Sequence, residues 1–213
     1  MDSRRGDPSH VAFDFTQHVR YVCADVVSRL TEFSHVDLDR VAIRFCQTRR
    51  AGRFGVQASL TPLRFEGGCL ETRRRGRRYT IQRIFGQGDC EQLYLLSFYL
   101  PRFLDLPFEE KLATICHELW HIGPDFDGDL RRHDGRCYAH GRSEERFHAA
   151  MRDLAQRYLA TSPVPQVCDF LRLSFRELQT RHGRIIGVRL ASPKLIRLAE
   201  GEPLPEIRRS SCA

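Results

Sequence analysis

Apolar residues recur at intervals of three and four in the first part of the chain, and shorter apolar segments follow. From Phe13 to about Phe33 the apolar positions form one stripe at helical spacing, which predicts an amphipathic helix. Apolar segments bounded by turn residues are typical of β-strands. Four such segments cover residues 41–45, 56–63, 79–85 and 93–100. We expect them to form an antiparallel sheet of about four strands.

Two further helices are predicted after these strands. Pro107 suits the first position of a helix, and Gly123 with Pro124 ends it, so that residues 107–122 make about four turns. A second amphipathic pattern extends from Ser143 to Leu159. The predicted fold class is therefore α+β, with the antiparallel sheet packed against the N-terminal helix and the helix at 107–122, and with the helix at 143–159 following.

The length and the apolar content indicate one domain. The chain has 213 residues, of which 41% are hydrophobic and 29% are charged, which is enough for one core but short for two. The polar ends at 1–9 and 201–213 are predicted to be flexible tails around a single domain at 10–200. No segment approaches the roughly 18 apolar residues of a membrane-spanning helix, and the first residues lack the apolar run of a signal peptide. We therefore expect a cytoplasmic protein that does not enter the membrane.

The cysteines are far apart in the sequence. There are eight, at positions 23, 46, 69, 90, 116, 137, 168 and 212. None forms a CxxC pair, so neither a zinc ribbon nor a thioredoxin-like redox site is indicated. Since no export signal is present, we expect reduced and partly buried thiols.

The predicted helix at 107–122 contains the segment His117-Glu118-Leu119-Trp120-His121, which is an HExxH motif. Residues four apart lie one above the other on a helix, so both imidazoles can bind one ion at about 2.0–2.1 Å from each nitrogen. Glu118 is rotated by one residue from His117 and can take a proton from the attacking water without being a ligand. The motif therefore predicts a Zn²⁺ site of a peptidase, with His117 and His121 as ligands and Glu118 as the catalytic base. The alternative is that both histidines are ordinary helix residues bonded to their neighbours.

A hydrolytic zinc site needs a third protein ligand. The candidates that follow the helix are Asp127, His133 and His140. Asp127 occupies the position of the third ligand in metzincin-like motifs, but the glycine of those motifs is missing. His140 stands just before the helix at 143–159, whose apolar residues Phe147 and Met151 would pack it against the HExxH helix. His140 is therefore the favoured ligand, with His133 and Asp127 as alternatives.

The order of these features resembles the SprT-like metallopeptidases, in which an HExxH helix is followed by a loop and then by His-Gly leading into the next helix. The segment from His117 to Gly141 is also similar to a group of uncharacterised metallopeptidases of bacteria and phages, and the similarity extends upstream over residues 41–68. The resemblance implies zinc peptidase chemistry on a protein or peptide substrate, with His140 as the third ligand. Because SprT-like peptidases include enzymes that act on DNA-bound proteins, it also implies DNA or a DNA-bound protein as a possible partner.

The acidic segment from Asp125 to Asp129 follows the motif. It matches only the beginning of an EF-hand loop, so a calcium site is not indicated. One of its carboxylates can accept the outer N–H of a ligating histidine and fix its tautomer. Alternatively, the segment caps the next turn and pairs with Arg131 or Arg132.

Positive charge is the other distinctive property of the sequence. The net charge is +7, and Lys111 and Lys194 are the only lysines, so arginine carries nearly all of the positive charge. Arginine binds phosphate in a fork geometry, and the run from Arg73 to Arg78 can contact phosphates if it forms a hairpin tip. Otherwise the run is a solvated turn.

The arginines lead to a second hypothesis of function. The chain would be a nucleic-acid-associated binding protein in which the metal site is structural or vestigial. The intact Glu118 argues against this hypothesis, because a structural site needs ligands but no general base.

Overall fold

The computed structural model describes residues 11–48, 55–132 and 144–204. The predicted turn at 49–52, the tail at 1–9 and most of the tail at 201–213 lie outside these ranges. The helices within them are α1 (Phe15–Arg29), α2 (Phe108–Trp120), α3 (Glu144–Ala160), α4 (Pro165–Cys168) and α5 (Phe175–His182). The strands are β1 (Phe13–Asp14), β2 (Val41–Gln47), β3 (Ala58–Pro62), β4 (Glu71–Arg74), β5 (Arg77–Ile81), β6 (Tyr94–Leu100), β7 (Ile185–Ile186) and β8 (Leu195–Arg197). The architecture is mixed α+β, as predicted, and none of the helices in the described ranges is both long and apolar enough to span a bilayer.

The central sheet has three strands in the order β2-β6-β3. β3 is antiparallel to β6, with Ala58 opposite Phe98, whereas β2 is parallel to β6, with Val41 opposite Tyr94. This sheet differs from the predicted antiparallel sheet of about four strands in two respects, because residues 79–85 do not join it and one pair is parallel. An apolar pattern predicts a strand but does not indicate whether the strand is parallel or antiparallel to its neighbour. A parallel pair needs a long crossover connection, which the chain between β2 and β6 supplies.

A second sheet of three strands, in the order β4-β5-β8, contains the arginine run. β4 and β5 form a hairpin, with Arg73 opposite Arg78 and Arg74 opposite Arg77. The two turn residues, Arg75 and Gly76, have φ angles of 51° and 73°. Positive φ at both central residues is the geometry of a tight hairpin turn, whose twist matches that of the strands it joins. The run is therefore neither a simple turn nor only a hairpin tip, since most of it lies in the two strands.

The core lies between the central sheet and the helices that cover it. The stripe predicted for the first helix is confirmed, because its principal positions are fully buried in α1. These positions are Phe15, Val19, Val22, Cys23 and Val26. The α-helix is shorter than the predicted segment, since it starts after the capping side chain of Asp14 and ends where Leu30 becomes extended. β6 is buried along nearly its whole length, as expected for a strand with a neighbour on each side.

Helix α2 brings the HExxH motif into the core. Pro107 is the N-cap of this helix, so α2 begins one residue later than predicted, and it ends two residues earlier, at Trp120. Glu109 and Glu110 lie in its first turn, where the helix dipole favours negative charge. Leu112, Ile115 and Leu119 are completely buried. Helix α3 packs against α2 and buries four of the five apolar positions that its sequence pattern predicted, whereas Ala150 is exposed. The buried positions are Phe147, Met151, Leu154 and Tyr158.

One of the two lysines is buried where α2 meets the segment after α4. The Nζ atom of Lys111 donates hydrogen bonds to the carbonyl oxygens of Leu171 (2.8 Å) and Leu173 (2.7 Å). Burial lowers the pKa of Lys111 to about 8. Lys194 is solvent-exposed.

The cysteines follow the prediction at all but one of the described positions. Cys23, Cys46, Cys69, Cys116 and Cys168 are free thiols. Cys90 is disulfide-bonded, so the expectation that the thiols are reduced is wrong at this residue. The sequence does not predict this disulfide, because disulfide formation depends on which cysteines the fold brings together. The spacing of cysteines that are far apart in the sequence does not reveal this proximity.

Lys111→Met should flatten the dependence of stability on pH in the alkaline range. The pKa of Lys111 is about 8 in the folded state against an ordinary value of 10.5, so between these pH values the unfolded chain holds more protons. The free energy of unfolding of the native protein should therefore rise with pH, relative to the variant, by about 1–3 kcal/mol across this interval. Urea unfolding of both proteins at several pH values measures the difference. Lys194→Met is the matched control and should follow the native profile, and a native profile in Lys111→Met would contradict the assignment.

Candidate metal and catalytic site

The two histidines of the motif face each other at the end of α2. Their ring centroids are 4.7 Å apart and the ring planes cross at 75°. Two imidazoles that bind one ion tetrahedrally, each at about 2.0–2.1 Å from a ring nitrogen, have centroids about 5 Å apart. The observed separation therefore fits two ligands of one metal ion.

Phe147 fixes the position of these histidines from the opposite helix. Its ring centroid lies 4.9 Å from that of His117 and 5.9 Å from that of His121. The side chain is 8% exposed, so this aromatic contact closes one side of the histidine pair to water. The start of α3 consequently lies beside both imidazoles.

Glu118 lies on another side of α2, towards the central sheet. It is 6% exposed, and this burial raises the pKa of its carboxyl group to about 7, although the backbone N–H of Leu60 in β3 offsets part of the effect. Consecutive helical residues are separated by about 100° around the axis, so Glu118 can be buried against β3 while His117 is not. The carboxyl group is thus held near the histidines with a proton affinity suited to exchange near neutral pH.

A cleft of about 490 Å³ opens beside these residues. It is bounded by the start of β3, by α2 and by α3. The lining includes Ala58, Ala113, His117, Glu118, His148 and Met151. A larger cleft of about 770 Å³ lies at the β2 edge of the central sheet, lined by Arg20, Ile43 and Phe85 among others, and it contains none of the predicted site residues. The chemistry therefore favours the smaller cleft.

The end of α2 is held in place by Arg131. Its backbone N–H donates to the carbonyl oxygen of His121 (2.8 Å), and its Nε donates to that of Trp120 (2.9 Å). The guanidinium lies over the Trp120 ring at 4.4 Å from the centroid. Because the last carbonyls of a helix lack intrahelical partners, these contacts satisfy the end of the helix on which His121 stands.

The acidic segment stabilises its own loop. The Asp127 carboxylate accepts the backbone N–H of Asp129 (3.0 Å). Asp129 is 8% exposed and accepts hydrogen bonds from the backbone of Gly67 (3.1 Å) and from the side chain of Arg132 (2.9 Å). These bonds hold the pKa of Asp129 below its usual value even though burial acts in the opposite direction. The contacts support the capping interpretation of this segment, including the predicted pair with Arg132.

Among the described residues, none completes a group of three possible metal ligands with His117 and His121. Over 11–48, 55–132 and 144–204, no group of three or more His, Cys, Asp or Glu side chains is arranged to hold a metal ion. Asp127 therefore does not join His117 and His121. The two other candidates, His133 and His140, lie outside the described residues, and the prediction of His140 stays a prediction.

Sequence reasoning missed a residue beside the motif. The ring of His148 in α3 lies 5.7 Å from that of His117 between centroids, and this residue lines the cleft. The signal was available, because His148 directly follows Phe147, whose apolar position predicted the packing of this helix on α2. A histidine next to such an anchor is expected near the edge of the helix interface.

Comparisons with protein-family models, with curated proteins and with solved structures found no match to this chain.

Glu118→Gln should change the pH dependence of stability of the metal-free protein. The pKa of Glu118 is about 7 in the folded state against an ordinary 4.5, so the stability that its protonated form provides is present below 4.5 and is lost as the pH rises through 7. Relative to the variant, the native protein should lose up to about 3 kcal/mol over this interval. Unfolding in urea, with a chelator present, measures this loss. Glu109→Gln, at an exposed position of the same helix, is the control, and parallel profiles for native and Glu118→Gln proteins would refute the buried assignment.

Proposed function

We propose that this chain is a zinc-dependent peptidase of the HExxH class, similar to the SprT-like enzymes. The observation that carries the proposal is the pair of imidazoles 4.7 Å apart beside a buried carboxyl group with a raised pKa, all on one helix that lines a cleft. Nitrogen donors at this spacing suit Zn²⁺. A purely structural site would have no need of Glu118, whose burial costs stability.

His117, His121 and His140 are the proposed zinc ligands. The position of Phe147 supports His140, because α3 starts beside the imidazoles and His140 is only four residues before Glu144. Four residues span at most about 14 Å, a length that would allow His140 to reach the pair. His133 follows Arg131 by two residues, and the backbone N–H of Arg131 donates a hydrogen bond to His121. His133 therefore stays the principal alternative.

Glu118 acts as the general base and then as the general acid. When bound, zinc supplies Lewis acidity towards the scissile carbonyl and makes water more acidic. Glu118 takes a proton from the attacking water and delivers it to the departing amine. Burial raises the pKa of Glu118 in the metal-free protein, whereas a bound cation would favour the carboxylate form that accepts the proton of the attacking water.

The edge of β3 is the proposed guide for the substrate. Among the described residues, β3 has a strand partner on one side, β6, while its other side faces α2 and the cleft. Such an edge can pair with an extended peptide through backbone hydrogen bonds. The peptide bond would then lie between β3 and α3, close to Glu118.

Glu118→Gln should retain zinc but lose at least two orders of magnitude of peptide hydrolysis, because a general base typically contributes roughly 10²–10⁴-fold. Metal content by mass spectrometry and hydrolysis of a quenched fluorescent peptide library give the two readouts. Glu109→Gln, exposed on the same helix, is the matched control and should keep both. Native hydrolysis rates in Glu118→Gln would remove this residue from the mechanism, and a native protein that takes up no zinc would refute the whole proposal.

The third ligand can be identified by two alanine variants. His140→Ala should weaken zinc binding strongly, because two imidazoles alone make an incomplete site. His133→Ala should leave the affinity near native or reduce it by no more than about 10- to 100-fold, which is the effect of a residue that supports a ligand. Competition with a chromophoric chelator measures both affinities. The opposite order of effects would assign the ligand to His133 and leave His117 and His121 in place.

A further inference from the structure

The arginines of the β4-β5-β8 sheet are divided between its two faces. Cross-strand partners share a face and successive residues alternate, so Glu71, Arg73 and Arg78 lie on one face. On this face the arginines have acidic partners. Arg78 pairs with Glu71 (2.5 Å), and Arg73 lies 3.5 Å from Glu200. The positive charge of this face is therefore largely neutralised within the protein.

The opposite face carries positive charge without such partners. It carries Arg74, Arg77, Tyr79 and Arg197, which we call the basic face, and also Thr72, Ile81 and Leu195. Over the described ranges, none of these three arginines is within salt-bridge distance of a carboxylate. All three are solvent-exposed, and Tyr79 is partly exposed. Glu71, the acidic residue of these three strands, is thus on the other face.

The register concentrates the charge of the basic face. Arg74 is directly opposite Arg77, and Tyr79 is directly opposite Arg197. Directly opposed side chains of an antiparallel pair have Cβ atoms about 4.5–5.5 Å apart, and like charges in such a pair are destabilising. Charged side chains on an edge strand such as β4 prevent pairing with other chains, but this role does not require two arginines directly opposite each other. A bound polyanion would turn the same arrangement into an attraction.

We propose that the basic face binds single-stranded nucleic acid. Guanidinium groups bind phosphate with two parallel hydrogen bonds. On this face Arg77 is two residues before Tyr79 in β5, Arg197 is directly opposite Tyr79, and Arg74 is opposite Arg77. A positively charged surface that includes an aromatic ring is how proteins bind single strands, since phosphates contact the cations and a base stacks on the ring. An anionic membrane is less favoured, because interfacial binding uses a broad apolar side, whereas the apolar residues of this face are only Ile81 and Leu195 at the end away from the hairpin turn. This binding would be independent of the zinc site.

A charge-matched pair of triple variants tests the proposal. One replaces Arg74, Arg77 and Arg197 by Gln, and the other replaces Arg176, Arg181 and Arg184, which are exposed on and after α5, so both lose the same charge. Fluorescence anisotropy with a labelled oligothymidine of about 20 nucleotides, titrated at several salt concentrations, reports affinity. The first variant should bind at least about tenfold more weakly at low salt, and its salt slope should fall by about 2, as expected for three lost phosphate contacts to a single strand. The second should stay within about threefold of native.

Tyr79→Leu tests the stacking contact separately. Loss of one base–aromatic stack should weaken binding about fivefold or more, whereas Tyr21→Leu, at an exposed tyrosine of α1, should have no effect. Glu118→Gln should bind the oligonucleotide as the native chain does, which distinguishes this site from the proposed peptidase site. Circular dichroism verifies the fold of each variant, and the single variants Arg74→Gln and Arg197→Gln give the same comparison if the triple variant is unfolded.

Three outcomes would overturn the proposal. Equal weakening by both triple variants would show that net charge alone attracts the oligonucleotide. An unchanged affinity in Tyr79→Leu, together with equal binding of duplex and single strand, would exclude recognition of unstacked bases. Salt-dependent sedimentation with phosphatidylserine vesicles, without measurable oligonucleotide binding, would assign the face to a membrane instead.

Discussion

The burial of Glu118 is the constraint around which the rest of the candidate site is arranged. Helix α2 must bury Leu112, Ile115 and Leu119 in the core, and a helix has only about 3.6 residues per turn. The two histidines then lie on the other side of the helix, with His117 in the lining of the cleft, and Glu118, which is between these sides, is buried against β3. A carboxylate in that position loses most of its water, so its pKa rises and the folded state is less stable when it is ionised. The buried carboxyl group of Glu118 thus lowers the stability of the fold at neutral pH, at a position where a proton acceptor is chemically useful.

The packing of α3 on α2 has a second consequence for the site. Phe147 contacts both imidazoles, so the geometry of the histidine pair depends on a residue far along the chain from the motif. Arg131 acts from the other direction, because its bonds to Trp120 and His121 hold the end of α2. The last carbonyl groups of α2 are hydrogen-bonded to Arg131, and its histidines are packed against Phe147. The last two turns of the helix therefore have little freedom to change their relative orientation. This rigidity is what a metal site needs from its supporting residues.

The sequence predicted those features that depend on one element at a time. The apolar stripe of α1 and the spacing of His117 and His121 are local, and each was found at or near its predicted position. Strand direction was not predictable in the same way, because β2 and β6 have the same kind of apolar pattern whether they are parallel or antiparallel. β8 was missed because it is short and exposed and pairs with β5 from more than a hundred residues away. Phe147 was predicted to pack on α2, but its contact with the imidazoles depended on the tertiary angle between two helices.

The arginine content illustrates how composition becomes informative only after folding. Arg64 and Arg83 both pair with Glu91, which is 2% exposed, and their hydrogen bonds keep the pKa of Glu91 low although burial raises it. These arginines stabilise the loop before β6, since an isolated carboxylate at that depth would be costly. Arg74, Arg77 and Arg197 have the same chemistry but no such partners among the described residues, and two of them repel each other across a hairpin. A net charge of +7 cannot distinguish these two uses of arginine. The register of a hairpin can distinguish them, because it determines which arginines lie beside a carboxylate of the protein and which are exposed to an anionic ligand.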